Sequence, residues 1–232
     1  FVAGSALPLG PLTGFSIGGA NIDVFVGYAN AGIDRTRTFA QQAANLYGFG
    51  AEGIDFGLLQ LKSVAGAQYT AAKAHADTVA LYGFDPEDFQ LSLRGIDFKL
   101  NKATGVLPAI NFQKSYSLGT GVTDRAGYEL PTGNPDEPML LDMTGTTIGA
   151  SLNNATLRIS EFVHVSGSFA FEKGATQILS AKTVGGIHVP VLANAFTIGA
   201  NHVQAFVGVG GPYRTDSNLE DRKSTRLNSS HT

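Results

Sequence analysis

The chain has no cysteine and no tryptophan, only two methionines, and charged side chains at 15% of its 232 residues. Without cysteine there is no disulfide framework, thiolate zinc site, iron–sulfur cluster or cysteine nucleophile. No run approaches the ~18 apolar residues of a membrane-spanning helix. With 16 basic and 19 acidic residues the net charge is −3, and no basic stripe is present. Nucleic acid is therefore not an expected partner, and the Lys/Arg-rich face of a membrane-surface helix is also missing. There is no GxxxxGK[ST] phosphate loop and no GxSxG elbow. GFGAEG at 48–53 matches GxGxxG, but helix-like residues precede it and strand-like residues follow. A dinucleotide site needs the reverse order. What is present is 43% hydrophobic residues and 29 glycines: too apolar for a disordered chain and rich in turn formers. The length suits one large all-β domain or about two average ones.

The chain begins at Phe1 without a charged segment and apolar run behind it, which is expected of a fragment or a processed form. At the other end, Asp221 to His231 reads DRKSTRLNSSH. This string resembles the in-frame translation of a sequencing adapter, so 221–232 is expected to be an artefactual tail. Without it 13 basic and 18 acidic residues remain, a net charge of −5.

An internal repeat is the strongest pattern. FSIGGANIDVFVG (15–27) and FTIGANHVQAFVG (196–208) share six of 13 positions at an offset of 181 residues. Such a period is domain-sized, far beyond the ~20–50 residues of solenoid repeats. The expected organisation is the end of one unit at 1–24, a full unit at 25–206, the start of the next at 207–220, and the tail. A shorter echo, GIDFGL at 53–58 and GIDFKL at 95–100, reads as a shared strand-entry turn or a duplicated strand pair.

Period-2 alternation dominates. Phe89, Leu91 and Leu93 alternate with polar residues, and after Gly95 the apolar set moves to Ile96, Phe98 and Leu100. A β-bulge at Gly95 would repair that change of parity. A second ribbon runs Ala155, Leu157, Ile159, Val163, Val165, Gly167, Phe169, Phe171. Both predict half-buried antiparallel strands. The two FVG strands are apolar on both faces, which predicts a place inside the sheet or under a covering layer. Thr70–Leu81 fits helix and strand, with the strand favoured by its alternation. Thr36–Tyr47, ended by Gly48, predicts the one short helix. PTGNPDEP (131–138) predicts the longest exposed loop.

Candidate chemistry is thin. His75 and Asp77 share a strand face and read as solvated. The carboxylates of Asp85, Glu87 and Asp88, and of Asp136 and Glu137, flank prolines in turns. Calcium prefers several oxygens from one loop; Asp216 and Asn218 are the candidate metal ligands, with Asp124, Asp136 and Asp142 as a weaker set. Phe89, Phe98, Phe112, Phe169 and Phe171 could line an apolar groove.

Three stretches, Phe56–Asn101, Ile159–Lys173 and Val203–Asn218, resemble the tandem repeats of giant bacterial surface proteins, adhesin-like and haemolysin-type calcium-binding chains. The resemblance implies a non-enzymatic structural or adhesive module, extracellular or on the bacterial cell surface. Its partners would be neighbouring repeat units, with a cell-surface glycan or lipid as ligand. It supplies no catalytic residue, and its acidic calcium loops match only at Asp216 and Asn218. The expected fold is an all-β, elongated antiparallel sheet or sandwich-like module with at most one short helix; the alternative function is a lipid- or glycan-binding β-module. A fragment spanning 15–206 is expected to give a β-type circular dichroism spectrum. A mainly helical spectrum would refute the assignment.

Overall fold

The structure, a computed structural model, describes residues 2–3, 7–105, 107–115, 127–182 and 184–209. The strands are β1 (Val2–Ala3), β2 (Leu7–Pro8), β3 (Leu12–Ala29), β4 (Leu46–Ser63), β5 (Gln68–Tyr82), β6 (Phe89–Ala103), β7 (Tyr128–Leu130), β8 (Met139–Leu141), β9 (Thr147–Ile159), β10 (Val163–Lys182) and β11 (His188–Val207). A 3-10 helix spans Ala40–Asn45 and a single helical turn, α1, spans Phe112–Ser115. The fold is all-β, as the alternation predicts. Seven long strands form one antiparallel sheet in the order β11-β10-β9-β6-β5-β4-β3, while β1 pairs with β2 and β7 with β8.

Directly opposed residues of an antiparallel pair share a face, and successive residues alternate between faces. The register therefore sorts the sheet into rows. Leu59, Ala71, Asn101 and Thr147 form one row, and all four are buried. Two residues further on, still on this face, Gly57, Lys73, Lys99, Gly149, Glu172 and Thr197 form another. Between them runs an opposite-face row, Ile17, Leu58, Ala72, Leu100 and Ile148. The next row of that face is Gly19, Phe56, Ala74, Phe98, Ala150, Phe171 and Ile198. No large side chain of these two opposite-face rows is buried. The sheet is thus amphipathic, with its apolar face open.

Between β6 and β9, residues 107–115 and 127–146 fold back over the other face as a lid. Ile110 and Phe112, Leu130 at the end of β7, Leu141 of β8 and Met143 close on Leu59, Leu61, Tyr69 and Ala71 to make the main core. Asn101 fastens the lid from below: its Nδ2 donates to the carbonyls of Ile110 (2.7 Å) and Gly145 (3.0 Å). The 131–138 stretch joins β7 to β8 at the tip of this lid. A smaller cluster of Phe39, Leu46, Ala80 and Tyr82 closes the opposite ends of β4 and β5.

Four features of the fold differ from expectation. Gly95 takes a left-handed φ of +58° with no slip in pairing: Arg94 and Ile96 face Thr78 and Ala76 on one side and Asn154 and Leu152 on the other. A single left-handed residue rolls the pleat over, so no extra residue is inserted. Gly53, at φ +62°, stands on the other side of β5 at the same level, between pairs that bracket residue 77. The GIDF echo is therefore not an entry turn, since both copies lie inside strands. It marks two strands that meet β5 in the same register. The predicted helix at 36–47 shortens to Ala40–Asn45, because Leu46 onward pairs with β3 and the Gln42 side chain ties down Asp34 and Arg37 instead. Ladder pairing outweighs the intrinsic helix preference of the alanines. Finally, the two FVG strands lie at the two outer edges of the sheet, not inside it. The expected unit boundaries at 24/25 and 206/207 fall within β3 and β11.

Two substitutions separate these supports. Phe112→Ala empties the lid core and is expected to lower unfolding free energy by about 3–5 kcal/mol. Gly95→Ala forces a left-handed alanine and is expected to cost about 1–2 kcal/mol. Denaturant titration followed by circular dichroism measures both; no change for Phe112→Ala would disprove the lid.

Candidate functional site

Beyond the lid, the covered face carries a shallow trough of about 640 Å³. It runs from Met139 at the lid tip across Lys99, Gly149 and Ser151 to Glu172 and Gly199 on the far strands. Two rows build its floor. In one, Lys99 of β6 reaches over Gly149 of β9 to Glu172 of β10, Nζ to Oε2 2.7 Å. A Cβ on residue 149 would stand 2.8 Å from the Lys99 Cε, so glycine there lets the lysine lie flat across an intervening strand. The Lys99 ammonium holds the Glu172 carboxyl below its ordinary range. Lys73 points the other way, to Asp142 Oδ1 at 3.1 Å, and so ties the sheet to the lid.

The second row is Asp55, His75, Asp97, Ser151, Ala170 and Gly199. His75 lies between two carboxylates: Nδ1 to Asp97 Oδ1 is 2.8 Å and Nε2 to Asp77 Oδ1 is 3.2 Å. The hydrogen bond to Asp97, against some desolvation and with help from Asp77, raises the imidazole pKa above its ordinary 6.5. With both nitrogens engaged by carboxylates the ring favours the imidazolium. It presents no free nitrogen to activate a nucleophile, and Ser151 lies beyond Asp97, not beside the ring. The geometry is that of a cross-strand electrostatic clasp, and general base chemistry would need one of the nitrogens released.

The other acidic residues serve the backbone. Asp55 Oδ1 accepts from the Asn21 N–H at 2.7 Å, and Asp23 Oδ1 accepts from the Gly53 N–H at 2.9 Å. Both bonds fall where the β3/β4 register shifts, and they satisfy donors that the irregular ladder leaves over. Asp85 accepts from the Glu87 N–H, and its carbonyl accepts from Asp88 and Phe89, an ordinary turn. Asn134 binds the Asp136 N–H and the Glu137 carboxylate within the lid tip. The two acidic loops do not meet. Among the described residues no group of three or more His, Asp or Glu has the arrangement of a metal site. Asp216, Asn218 and Asp124 lie outside the described residues, as does the 221–232 tail.

Comparison with protein-family models, curated proteins and solved structures finds no match for this chain. The functional reading therefore stands on its own geometry. Of the five predicted groove phenylalanines, Phe98 and Phe171 share the open-face row with Phe56. Phe169 opposes Leu152 one row on. Phe112 is buried in the lid core, and Phe89 packs on Phe84 with centroids 5.4 Å apart. They do not converge. The spacing of His75 and Asp77 was visible in the sequence. Asp97 was visible only through the GIDF echo, and the Lys99–Glu172 bridge had no sequence signal at all, because it crosses a strand from a distant part of the chain.

The clasp has a pH signature. Because the folded-state pKa of His75 is raised, its stabilising effect is complete below about 6.5 and fades as pH rises through the folded value. Exposed pairs contribute about 0.2–1 kcal/mol, so the change in stability is expected to be small. Proton NMR should give a His75 pKa above 6.5, and Asp97→Asn should bring it down toward that value. An unshifted His75 would refute the clasp.

Proposed function

We propose that the chain is a structural, adhesive repeat module of a large bacterial surface protein, working outside the cell as a spacer and not as an enzyme. One observation carries this reading. The two copies of the FxIG–FVG motif form the two outermost strands, β3 and β11, of one sheet. Six antiparallel steps separate them, so they run in the same direction. A unit that starts on a strand and ends on an equivalent strand, pointing the same way, is suited to indefinite repetition. The side chains support the same reading: the charged groups of the trough are spent on cross-strand bridges.

The open apolar face favours a second reading, in which the rows through Phe56, Phe98 and Phe171 take up a lipid. The two readings separate cleanly. As an adhesive array, beads coated with two joined units should be retained on bacterial cells at least tenfold better than beads coated with one, because linked sites bind with high effective concentration. Equal retention would refute adhesion by multivalency. As a lipid module, the full chain should float with phosphatidylcholine vesicles and lose that property in Phe98→Asp.

A further inference from the structure

Resting on the tandem-repeat reading above, we propose that the outer edge of β11 binds strand β4 of a second copy of this unit, in the register that β3 holds on β4. Successive units would then share one uninterrupted sheet, with β11 serving as the first strand of the next.

Four features support this. First, among the described residues β3 and β11 each have one hydrogen-bonded neighbour in the seven-stranded sheet and one edge without a partner strand. Their matching apolar side chains lie on the open face and are bare: Phe15 and Phe196 are 55% and 60% exposed, Ile17 and Ile198 52% and 72%.

Second, the backbone repeats as well as the sequence. Asn21 and His202 stand 181 residues apart and adopt left-handed φ of +52° and +51°. Left-handed conformations are uncommon outside glycine, yet the two strands adopt one at the same repeat position. Each lies beside a register shift, between Gly19 and Ile22 in β3 and opposite Ser166/Ser168 in β11.

Third, the rows join correctly. The open-face row that begins at Gly19 ends at Ile198, whose counterpart 181 residues earlier is Ile17. The row that begins at Ile17 runs through Lys173 to Phe196, whose counterpart is Phe15. Each row therefore enters the next unit two residues along the strand. An odd step would turn the apolar face of the next unit to the opposite side. An even step keeps the open face of one unit continuous with that of the next.

Fourth, the pairing that results is specific. Ile198 would face Leu58 of the second copy, Gly199 its Gly57 and Phe206 its Gly50, as Ile17, Gly18 and Phe25 do within one copy.

The test is a two-unit chain made by joining residues 1–195 directly to residues 15–232, so that β11 of the first copy runs into β3 of the second. Because the protein has no cysteine, one introduced pair reports unambiguously: Glu172→Cys in the first copy and Ser16→Cys in the second, the repeat counterpart of the Glu172–Thr197 pair. The expected results are a cross-link on mild oxidation and, by small-angle scattering, growth of about 29 Å over one unit, from six strands about 4.8 Å apart. An extended particle with two separate sheets and no cross-link would overturn the shared sheet while leaving the spacer reading intact. A compact particle with the two open faces stacked would overturn both. Should the two-unit chain not fold, the full chain alone still answers. A peptide of residues 46–63 is expected to slow amide hydrogen exchange in β11, and a scrambled peptide is not. Equal exchange with both peptides would overturn the proposal.

Discussion

Apart from local shifts in β3 and β10, seven strands of 13 to 20 residues stay in step because a slip of one residue would exchange their two faces. Everything else in the molecule depends on that constraint. The apolar rows through Phe56, Phe98 and Phe171, the charged rows through Lys99 and His75, and the buried row under the lid are alternate levels of one ladder. Two of the left-handed residues, Gly53 and Gly95, fall at one level on both sides of β5. The pairing of β5 with both neighbours keeps its register across that level. Carboxylates of Asp23 and Asp55 catch the amides that the neighbouring irregularity in β3 leaves over.

The lid and the sheet use different kinds of support. Under the lid, large apolar side chains close on one another, and Asn101 supplies a buried polar fastening. Away from the lid the sheet holds its covered face with charge: Lys99 to Glu172 and His75 to Asp97 and Asp77. Such exposed pairs contribute little each, but every one crosses between strands or fixes a residue that does. They set alignment more than stability.

Much of this was legible in the residues. The strands announced themselves through alternation, and the FVG repeat marked the two strands that turned out to be edges. Their wrong expected placement had a physical cause. Apolar residues on both faces bear on what lies above and below a strand and do not report its place in the strand order. The bulge expected at Gly95 failed for a related reason: parity within one strand does not reveal whether its neighbours turn over with it. The helix expected at 36–47 failed because propensity is local and the pairing of β4 with β3 is not. The trough was hidden from sequence altogether, since its bridges join residues from β5, β6, β9 and β10 whose proximity only the register defines.

The long ladders also bear on force. Hydrogen bonds in this sheet run across the strands, so a pull along the direction of stacking loads all rungs between two strands together. Resistance then grows with the number of paired residues, and the seam where the shortest strand meets β10 has the fewest. That strand is β9, with 13 residues between β6 of 15 and β10 of 20. It is also the strand over which Lys99 reaches to Glu172. The lysine–glutamate bridge is thus a side-chain strut across the seam at which stretching would part the sheet first.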